Sequence, residues 1–324
     1  MTGTSLAVDI GGTKMAIALV DPDGHTRSEI QNHRVPFDAN CVADPEALIA
    51  LMRPHVESAR AGGENLLGLG LSLCGNVDPL SGDAVLVPNL HWHNLPFTKM
   101  VQSAFNLPVY SATDVRMAAM AEHAWGVARG VVDFAWATVG TGYGGYLFLS
   151  GSLYGGLHGF AGNFGHTTHD EINGFPCGCG RKGCVETFVA GPAIARAGQQ
   201  AADSGRSPLL LRLAKDGKVT THMVFEARAA QDPAALEIID QVIRLISINL
   251  GGVINLLDLK MIVMGGGVVH ASPDFVDCVS RRIRDFLMTE EARRDLLVVK
   301  ESFPNSALLG AAATVFETLG MLQD

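Results

Sequence analysis

The feature that most constrains this 324-residue chain is a short segment that holds two imidazoles and three thiols. His166, His169, Cys177, Cys179 and Cys184 lie within nineteen residues, and glycines between the cysteines let the backbone turn tightly. One imidazole and three thiolates suit a closed tetrahedral Zn²⁺ site, in which bonds to sulfur are about 2.3 Å long. A disulfide is the alternative, but Cys-x-Cys is a poor spacing for pairing two cysteines with each other. The segment therefore predicts structural zinc, bound by the three thiolates and one of the two imidazoles.

The composition bounds the class of protein. A chain of this length with 48% hydrophobic residues has room for two domains, each with its own core. The net charge is -9 and the basic residues form no run, which argues against a nucleic-acid partner. The chain shows neither a secretory leader nor a membrane-spanning apolar segment. We therefore expect a cytoplasmic protein without a membrane partner, in which Cys41, Cys74 and Cys278 are free thiols.

Two glycine-hinged hairpins about 130 residues apart look like a duplicated α/β unit, but the two halves do not align by eye, so the hairpins alone do not establish a repeat. The first hairpin joins residues 5–9 to 15–20, and the second joins 133–139 to 144–149. Further apolar runs predict strands at 66–73, 107–111 and 260–264, and helical spacing predicts helices at 45–61, 115–125, 233–257 and 308–319.

Both hairpin loops have the chemistry of a phosphate-binding turn. The first follows Asp9 and reads Gly11-Gly12-Thr13-Lys14, and the second reads Gly140-Thr141-Gly142. Glycine lets backbone N–H groups approach phosphate oxygens without a Cβ in the way. Either loop alone is also explained as an ordinary turn, but two of them favour a clamp on a polyphosphate. Neither matches the Walker A or dinucleotide fingerprints.

Two further positions lie where strands end. Asp114 falls between an apolar strand and a helix, where a carboxylate can accept a proton from a hydroxyl that attacks phosphorus. The alternative for Asp114 is a helix N-cap. Gly265, Gly266 and Gly267 form either a simple turn or a flat surface for an adenosine.

Taken in chain order, these motifs resemble the ROK family of bacterial sugar kinases and related repressors. The resemblance extends over nearly the whole chain and includes Thr113-Asp114, the run 161–166 and the cysteine segment through Glu186. It implies an α/β fold of the two-domain actin-like type (hexokinase/Hsp70-type, ribonuclease H-like), with a cleft between the domains. The expected domains are residues 1–120, with a helix at about 306–324 packed back on them, and residues 121–305, which carry the zinc motif. Repressors of the family add an N-terminal helix-turn-helix, whereas here the first phosphate loop begins at residue 9, which favours a kinase.

The resemblance also implies roles for individual residues. Asp114 matches the base that takes the proton from the sugar 6-hydroxyl, and Asp9 matches the residue that helps hold Mg²⁺ through water. His166, rather than His169, would bind zinc through one ring nitrogen and a sugar hydroxyl through the other. Glu186 would bind sugar hydroxyls near C1 and C2. The nucleotide would be bound by Gly11, Gly12, Thr13, Lys14, Thr141, Gly142, Gly265, Gly266 and Gly267, with zinc on His166, Cys177, Cys179 and Cys184.

Other implied sugar contacts leave the substrate open. Gly75 and Asn89 fall where the family lines its sugar site, although turn chemistry explains them equally well. Thr113 replaces the usual Asn and Asn163 the usual Glu, and both positions ordinarily contact the C3 hydroxyl. This change weakens the default expectation of glucose and leaves N-acetylmannosamine or a hexose altered at C3 as alternatives. The expected partners are ATP with Mg²⁺, a sugar and further copies of the chain in a homodimer or homotetramer. The alternative function is a non-catalytic sugar-sensing regulator.

Overall fold

The computed structural model describes residues 3–215 and 217–322, which divide into two compact units. The first unit is formed by residues 3–130 and 301–322, and the second by the described residues of 131–300. These boundaries differ from the 120/121 and 305/306 expected from the sequence. The reason is that the helix of residues 114–124 and the segment up to residue 130 pack entirely within the first unit.

The first unit is built on a mixed sheet. Its strands are β1 (Thr4–Ile10), β2 (Lys14–Val20), β3 (Gln31–Arg34), β4 (Leu66–Leu73), β5 (Asn76–Val77), β6 (Ala84–Val87), β7 (Trp92–Leu95) and β8 (Val109–Thr113). Its helices before residue 130 are α1 (Pro45–Ala61), α2 (Phe97–Phe105) and α3 (Asp114–Ala124). The main sheet has the order β3-β2-β1-β4-β8, and β5, β6 and β7 form a small separate sheet. Strands β1, β4 and β8 are parallel, so their carboxyl ends lie at one edge.

The second unit repeats this plan. Its strands are β9 (Phe134–Val139), β10 (Tyr143–Leu149), β11 (Ser152–Tyr154), β12 (Met261–Gly265) and β13 (Leu297–Lys300). Its helices are α4 (Glu186–Val189), α5 (Gly191–Asp203), α6 (Pro208–Ala214), α7 (Thr221–Ala229), α8 (Pro233–Leu257), α9 (Gly267–His270), α10 (Phe275–Ile283) and α11 (Glu290–Asp295). The sheet has the order β11-β10-β9-β12-β13, with an antiparallel hairpin β9-β10 and parallel strands β9, β12 and β13. Order and strand directions match those of the first sheet, so the similarity that the two hairpins indicated extends to the whole sheet plan.

The chain then returns to the first unit as α12 (Ser306–Thr318). This helix is rich in small residues and packs closely on two elements. A Cβ built on Gly310 would lie 1.5 Å from the Met117 carbonyl oxygen of α3, and one built on Gly70 of β4 would lie 2.0 Å from the Ala311 carbonyl oxygen. Only hydrogen at both glycines allows this separation, and α12 thereby covers one face of the sheet with Leu308 and Phe316 in the core.

The element predictions agree closely with the structure. The predicted bounds of α1, β4 and α8 coincide with the observed ones, because each is a long apolar pattern with clear end signals such as the caps Asp44 and Asp232. Strand β8 lies two residues later than predicted, and α3 begins one residue earlier. Within the described part of the chain, no helix combines the length and the apolar character that crossing a bilayer demands.

Candidate active site

Two carboxylates lie at the carboxyl edge of the first sheet. Asp9 is next to last in β1 and pairs in register with Ser72 of β4, whose hydroxyl donates to Asp9 Oδ1 at 2.5 Å. Asp114 directly follows β8, which is hydrogen-bonded to the other side of β4. Because carboxyl ends of parallel strands meet at the same edge, residues 105 positions apart come into electrostatic contact.

This proximity changes the acidity of both groups. Burial and then the charge of Asp9 raise the pKa of Asp114 to about 6, against an opposing hydrogen bond from the Val115 amide. Burial also raises the pKa of Asp9, and the hydrogen bond from Ser72 opposes that change. A carboxylate with a pKa near 6 is ionised at neutral pH but holds a proton far better than an exposed aspartate. That is the property required of a general base.

The helix cap is supplied by Thr113. Its side-chain oxygen accepts a hydrogen bond from the Arg116 amide at 3.2 Å, with the extended backbone typical of a capping residue. Asp114 is the first residue of α3, and its Oδ1 accepts from the Val115 amide at 2.9 Å. The alternative that Asp114 serves as the N-cap is therefore wrong, because Thr113 provides that hydrogen bond.

Predicted sugar and phosphate residues of the first unit lie in the segments that follow strands β1, β4 and β6. A Cβ built on Gly12 in the β1-β2 loop would lie 2.8 Å from Asn89 Cβ, so this loop and the Asn89 turn are in contact. Gly75 is needed for close packing, since a Cβ there would lie 2.7 Å from the Leu86 carbonyl oxygen. The Gly11 amide is engaged within the loop by the Lys14 carbonyl at 2.9 Å. The Gly11 N–H is therefore already engaged within the loop.

A thiol that sequence reasoning left unassigned also lies here. Burial and then the charge of Asp114 raise the pKa of Cys74 to about 11, with a smaller contribution from Asp9 and an opposing hydrogen bond from Asn89. Cys74 follows β4 as Asp114 follows β8, so the strand ends that place the carboxylates also place this neutral thiol. All six cysteines are free of disulfides, as expected for the three outside the zinc motif.

In the second unit, His166, Cys177, Cys179 and Cys184 form one cluster whose donor atoms all lie within 4.8 Å of one another. Cys177 Sγ is 3.5 Å from His166 Nδ1, and Cys179 Sγ is 3.6 Å from Cys184 Sγ. Ligands about 2.3 Å from a tetrahedral ion are separated by about 3.8 Å, whereas a disulfide requires about 2.05 Å. The donor set and its spacing therefore fit zinc through three thiolates and the Nδ1 atom of His166.

Local backbone bonds shape this cluster. The Cys177 amide donates to the Arg181 carbonyl at 2.8 Å, and the Arg181 guanidinium donates to the His166 carbonyl at 2.5 Å. Gly180 and Gly183 adopt φ values of 86° and 77°, which favour glycine, and a Cβ at Gly183 would lie 1.9 Å from the Asp170 carbonyl oxygen. The rival imidazole, His169, lies outside the cluster and packs edge-on against Phe188 at 5.0 Å.

Glu186 connects the metal cluster to the second phosphate loop. Its Oε2 accepts from the Tyr143 amide at 2.9 Å, directly after Gly142, and its Oε1 lies 3.5 Å from Cys177 Sγ. A Cβ built on Gly142 would lie 2.8 Å from Glu186 Oε2. The loop glycine thus makes room for the carboxylate that the sequence assigned to sugar binding.

The remaining nucleotide-loop glycines also come together in this unit. The Gly191 amide at the start of α5 donates to the Gly140 carbonyl at 2.7 Å, and a Cβ built on Gly140 would lie 3.8 Å from the Gly267 nitrogen. Gly266 has φ 97°, and a Cβ there would lie 2.7 Å from Thr138 Oγ1. Gly265, Gly266 and Gly267 therefore lie beside the loop that holds the exposed Thr141.

Asn163 is exposed three residues before His166, and its Nδ2 donates to the Phe160 carbonyl at 2.9 Å.

Sequence reasoning missed Ser72, the placement of Cys74, and Tyr143 with its partner Asn249. Ser72 left one signal, a polar residue within the apolar strand β4. The others depend on contacts between distant segments.

Comparisons with known proteins agree with this arrangement. A model of the ROK family matches residues 5–318. The chain belongs to the ROK family. A glucokinase of Streptomyces coelicolor is 30% identical over 316 residues, which cover 96% of each chain.

Two solved ROK structures extend the comparison. A glucokinase from Streptomyces griseus, in complex with glucose and AMPPNP, is 28% identical with a TM-score of 0.78, over 96% of this chain and 99% of that chain. A ROK family transcriptional regulator, a homologue of the E. coli MLC protein, is 25% identical with a TM-score of 0.85, over 98% of this chain and 79% of that one. These similarities confirm the actin-like, hexokinase-type α/β fold predicted from the motifs.

Proposed function

We propose that this ROK protein is an ATP-dependent kinase that phosphorylates the 6-hydroxyl group of a hexose or acylaminohexose. The observation that carries the proposal is Asp114, a half-buried carboxylate beside Asp9 whose pKa is raised to about 6. It is not needed as the cap of α3, because Thr113 caps that helix. A sensor of sugar needs the binding site but not a base, and Asp114 has the acidity that suits a base. The similarity to a glucokinase along 96% of the chain supports the same conclusion.

In the proposed reaction the sugar O6 forms a bond to the γ-phosphorus as the bond between that phosphorus and the β–γ bridging oxygen breaks. The hydroxyl proton goes to Asp114, and ADP leaves with the bridging electrons. The amides of Gly12, Thr13, Thr141 and Gly142 are assigned to the phosphates. Mg²⁺ accompanying ATP would neutralise charge on the phosphates, and Asp9 would hold it through water. Positioning and charge stabilisation supply most of the catalysis in such transfers.

The sugar contacts are assigned to Glu186 and His166. His166 Nδ1 faces the thiols, so zinc on that nitrogen would fix the tautomer and direct Nε2 to a sugar hydroxyl. Zinc would act as a structural support for substrate binding and take no part in phosphoryl transfer.

We propose that the site discriminates less strongly at the C3 hydroxyl of the sugar. Thr113 uses its side-chain oxygen to cap α3, and Asn163 uses its amide to bind the Phe160 carbonyl. Each therefore has less hydrogen-bonding capacity for a hydroxyl than a side chain without such a bond. This supports a substrate changed at C2 or C3, including N-acetylmannosamine or a C3-variant hexose, as strongly as it supports glucose.

The test is release of ADP with ATP and Mg²⁺ across glucose, mannose, N-acetylmannosamine, N-acetylglucosamine, fructose, allose and 3-amino-3-deoxyglucose. We expect one or two of these sugars to be clearly preferred. The 6-deoxy form of the preferred sugar should release no ADP, because it lacks the attacking hydroxyl. Phosphate found on a different oxygen would contradict the assignment to O6.

The second candidate is a sugar-sensing regulator without turnover, and the similarity to a ROK transcriptional regulator favours it. Calorimetric binding of a sugar by folded, zinc-loaded protein that never releases ADP would support this candidate over the kinase. Oligomerisation as a homodimer or homotetramer stays a prediction of the family resemblance.

A further inference from the structure

Asn249 lies near the middle of the long helix α8, where asparagine is a poor choice. It is less favourable than alanine in a helix interior by about 0.7 kcal/mol. Its amide nevertheless joins two other elements: Oδ1 accepts from the Tyr143 hydroxyl at 2.9 Å, and Nδ2 donates to Thr167 Oγ1 at 2.7 Å and to the Phe164 carbonyl at 3.2 Å. The side-chain oxygen and nitrogen of Asn249 therefore both bond to residues that lie 82 to 106 positions away in the sequence.

Tyr143 brings the phosphate loop into this network. It directly follows Gly142, its amide binds Glu186 Oε2 at 2.9 Å, and its ring is 3% exposed. The ring also packs edge-on against Phe164 at 5.6 Å. Tyr143 thus binds Glu186, the proposed sugar contact, through its backbone amide and binds Asn249 through its side-chain hydroxyl.

Thr167 and Phe164 bring in the turn that carries His166. Phe164–His166 form one turn of 3-10 helix, Thr167 follows it, and Thr167 Oγ1 donates to the Phe164 carbonyl at 2.8 Å. The Val185 amide, next to Glu186, donates to the Thr167 carbonyl at 3.0 Å. A Cβ built on Gly165 would lie 1.7 Å from the Tyr143 carbonyl oxygen, so this turn rests directly on Tyr143.

We propose that Asn249 and Tyr143 are positioning residues that hold His166 and Glu186 in a fixed arrangement with the phosphate loop 140–142. The inference rests on the proposed function, because it takes His166 and Glu186 as sugar contacts. Asn249 and Tyr143 act by positioning the side chains of His166 and Glu186. The network joins these proposed sugar contacts to the loop 140–142 by hydrogen bonds at 2.7 to 3.2 Å. Loss of one member should loosen sugar binding more than it weakens the fold.

The same helix offers a matched control. Asn255 also bridges α8 to a distant segment, since its Nδ2 donates to the Phe286 carbonyl and its Oδ1 accepts from the Met288 amide, both at 2.9 Å. An Asn255→Leu variant removes an amide of the same helix that makes two hydrogen bonds, against three for Asn249. It does so away from the turn of residues 164–166, so it reports the purely structural cost.

The experiment compares Asn249→Leu, Tyr143→Phe and Asn255→Leu in the zinc-loaded full chain. We expect the first two to raise the KM for sugar by about tenfold, with zinc content retained. Asn255→Leu should lower the melting temperature but leave that KM within about twofold of the wild type. Equal KM values in Asn249→Leu and Asn255→Leu would overturn the proposal.

A double-mutant cycle tests the connection itself. Because Tyr143 and Asn249 share one hydrogen bond, the double variant Tyr143→Phe/Asn249→Leu should raise the KM by much less than the product of the single effects. Tyr143→Phe/Asn255→Leu should show independent effects. Independent effects in both pairs would show that no such network operates.

Failure of the kinase assignment can be told apart from failure of this inference. If the wild type releases no ADP with any sugar, the proposed function fails, and the comparison is made on calorimetric sugar affinity. If no sugar binds, the comparison is made on the rate of zinc release to a chelator. Asn249→Leu should then release zinc at least about tenfold faster than Asn255→Leu, because the His166 turn is loosened. Equal rates would refute the positioning role.

Discussion

Asp114 is stabilised in its protonated form, so its ionisation at neutral pH costs the folded chain free energy. Its pKa is about 6 when folded against 3.8 in the unfolded reference, mainly because of burial and then because of Asp9. A raised pKa in an acid means that folding is favoured while the group is protonated. The stability associated with Asp114 is thus complete below about pH 3.8 and is lost as the pH rises to about 6.

An Asp114→Asn variant should therefore be inactive and more stable than the wild type at pH 8. The amide cannot accept the proton, and it carries no charge to be desolvated or repelled by Asp9. We expect a gain of about 1 to 3 kcal/mol in the free energy of unfolding, which shrinks as the pH falls below 6. Chemical denaturation at pH 8 and pH 5 measures the difference. Near-normal turnover in this variant would remove Asp114 from the role of base.

On the proposed function, the same carboxylate is expected to set the pH dependence of the reaction. The value of kcat/KM should decline below about pH 6 with a slope approaching tenfold per pH unit, because only ionised Asp114 accepts the hydroxyl proton. Initial rates at subsaturating sugar between pH 5 and 8 provide the measurement. A profile that stays level down to pH 5 would be inconsistent with this base.

Gly142 offers a test of Glu186. In Gly142→Ala the new Cβ would lie 2.8 Å from Glu186 Oε2, and the flexible carboxylate can move aside at little cost to the fold. We expect a stability change below about 1 kcal/mol but a KM for sugar about tenfold higher, since Glu186 leaves the Tyr143 amide. Gly144→Ala is the control, because no atom lies within 4 Å of the Cβ there. Similar kinetics in the two variants would argue against Glu186 as a sugar contact.

At the scale of elements, the cysteine loop should depend on its metal more than on its own packing. Cys179 is exposed, and Arg181 and Lys182 beside it are exposed too, so the loop has little core of its own. Cys179→Ser should lose most of the bound zinc and raise the KM for sugar by about tenfold or more through His166. Elemental analysis and sugar kinetics measure both effects. Cys41→Ser, at another exposed thiol, should retain zinc, and full retention in Cys179→Ser would contradict the ligand set.

The contact between α12 and α3 should tolerate no added atom. In Gly310→Ala the Cβ would lie 1.5 Å from the Met117 carbonyl oxygen, and backbone cannot swing aside as a side chain does. We expect a loss of at least about 3 kcal/mol in the stability of the first unit. Gly252→Ala in α8, with no atom within 4 Å of the Cβ, should be neutral or stabilising by up to about 1 kcal/mol. Thermal unfolding compares the two, and a harmless Gly310→Ala would mean that the helices do not pack this closely.

Local patterns explain which parts were predictable from the sequence. Strand β4 and helices α1 and α8 carry their own boundaries as apolar periodicity and caps, and the cysteine spacing marks its own cluster. The start of α3 was misplaced because Thr113 and Asp114 are both suitable caps, and only the backbone geometry distinguishes them. The partners of Ser72 and Asn249 lie 63 and 106 residues away, and no local signal encodes such contacts.

At the scale of the whole molecule, one sheet plan is used twice with different chemistry at corresponding edges. The β1-β4-β8 edge carries the carboxylates Asp9 and Asp114, whereas the β9-β12-β13 edge carries the glycine loops beginning at Gly140 and Gly265. The first edge thus presents two carboxylates in addition to its own glycine loop, and the second presents glycine loops. Shared topology explains where each set lies, and residue choice explains what each does.

The return of α12 to the first unit also sets an order of events during synthesis on the ribosome. The second unit is continuous in the chain, whereas the first unit lacks the helix that covers Gly70 until residues 306–318 have been made. Translation of the 170 residues from 131 to 300 takes roughly ten to thirty seconds at about 5 to 20 residues per second. Over that interval α12 is not yet available to cover this face of the first sheet, so we expect the segment translated first to be the one that a chaperone would have to shield longest.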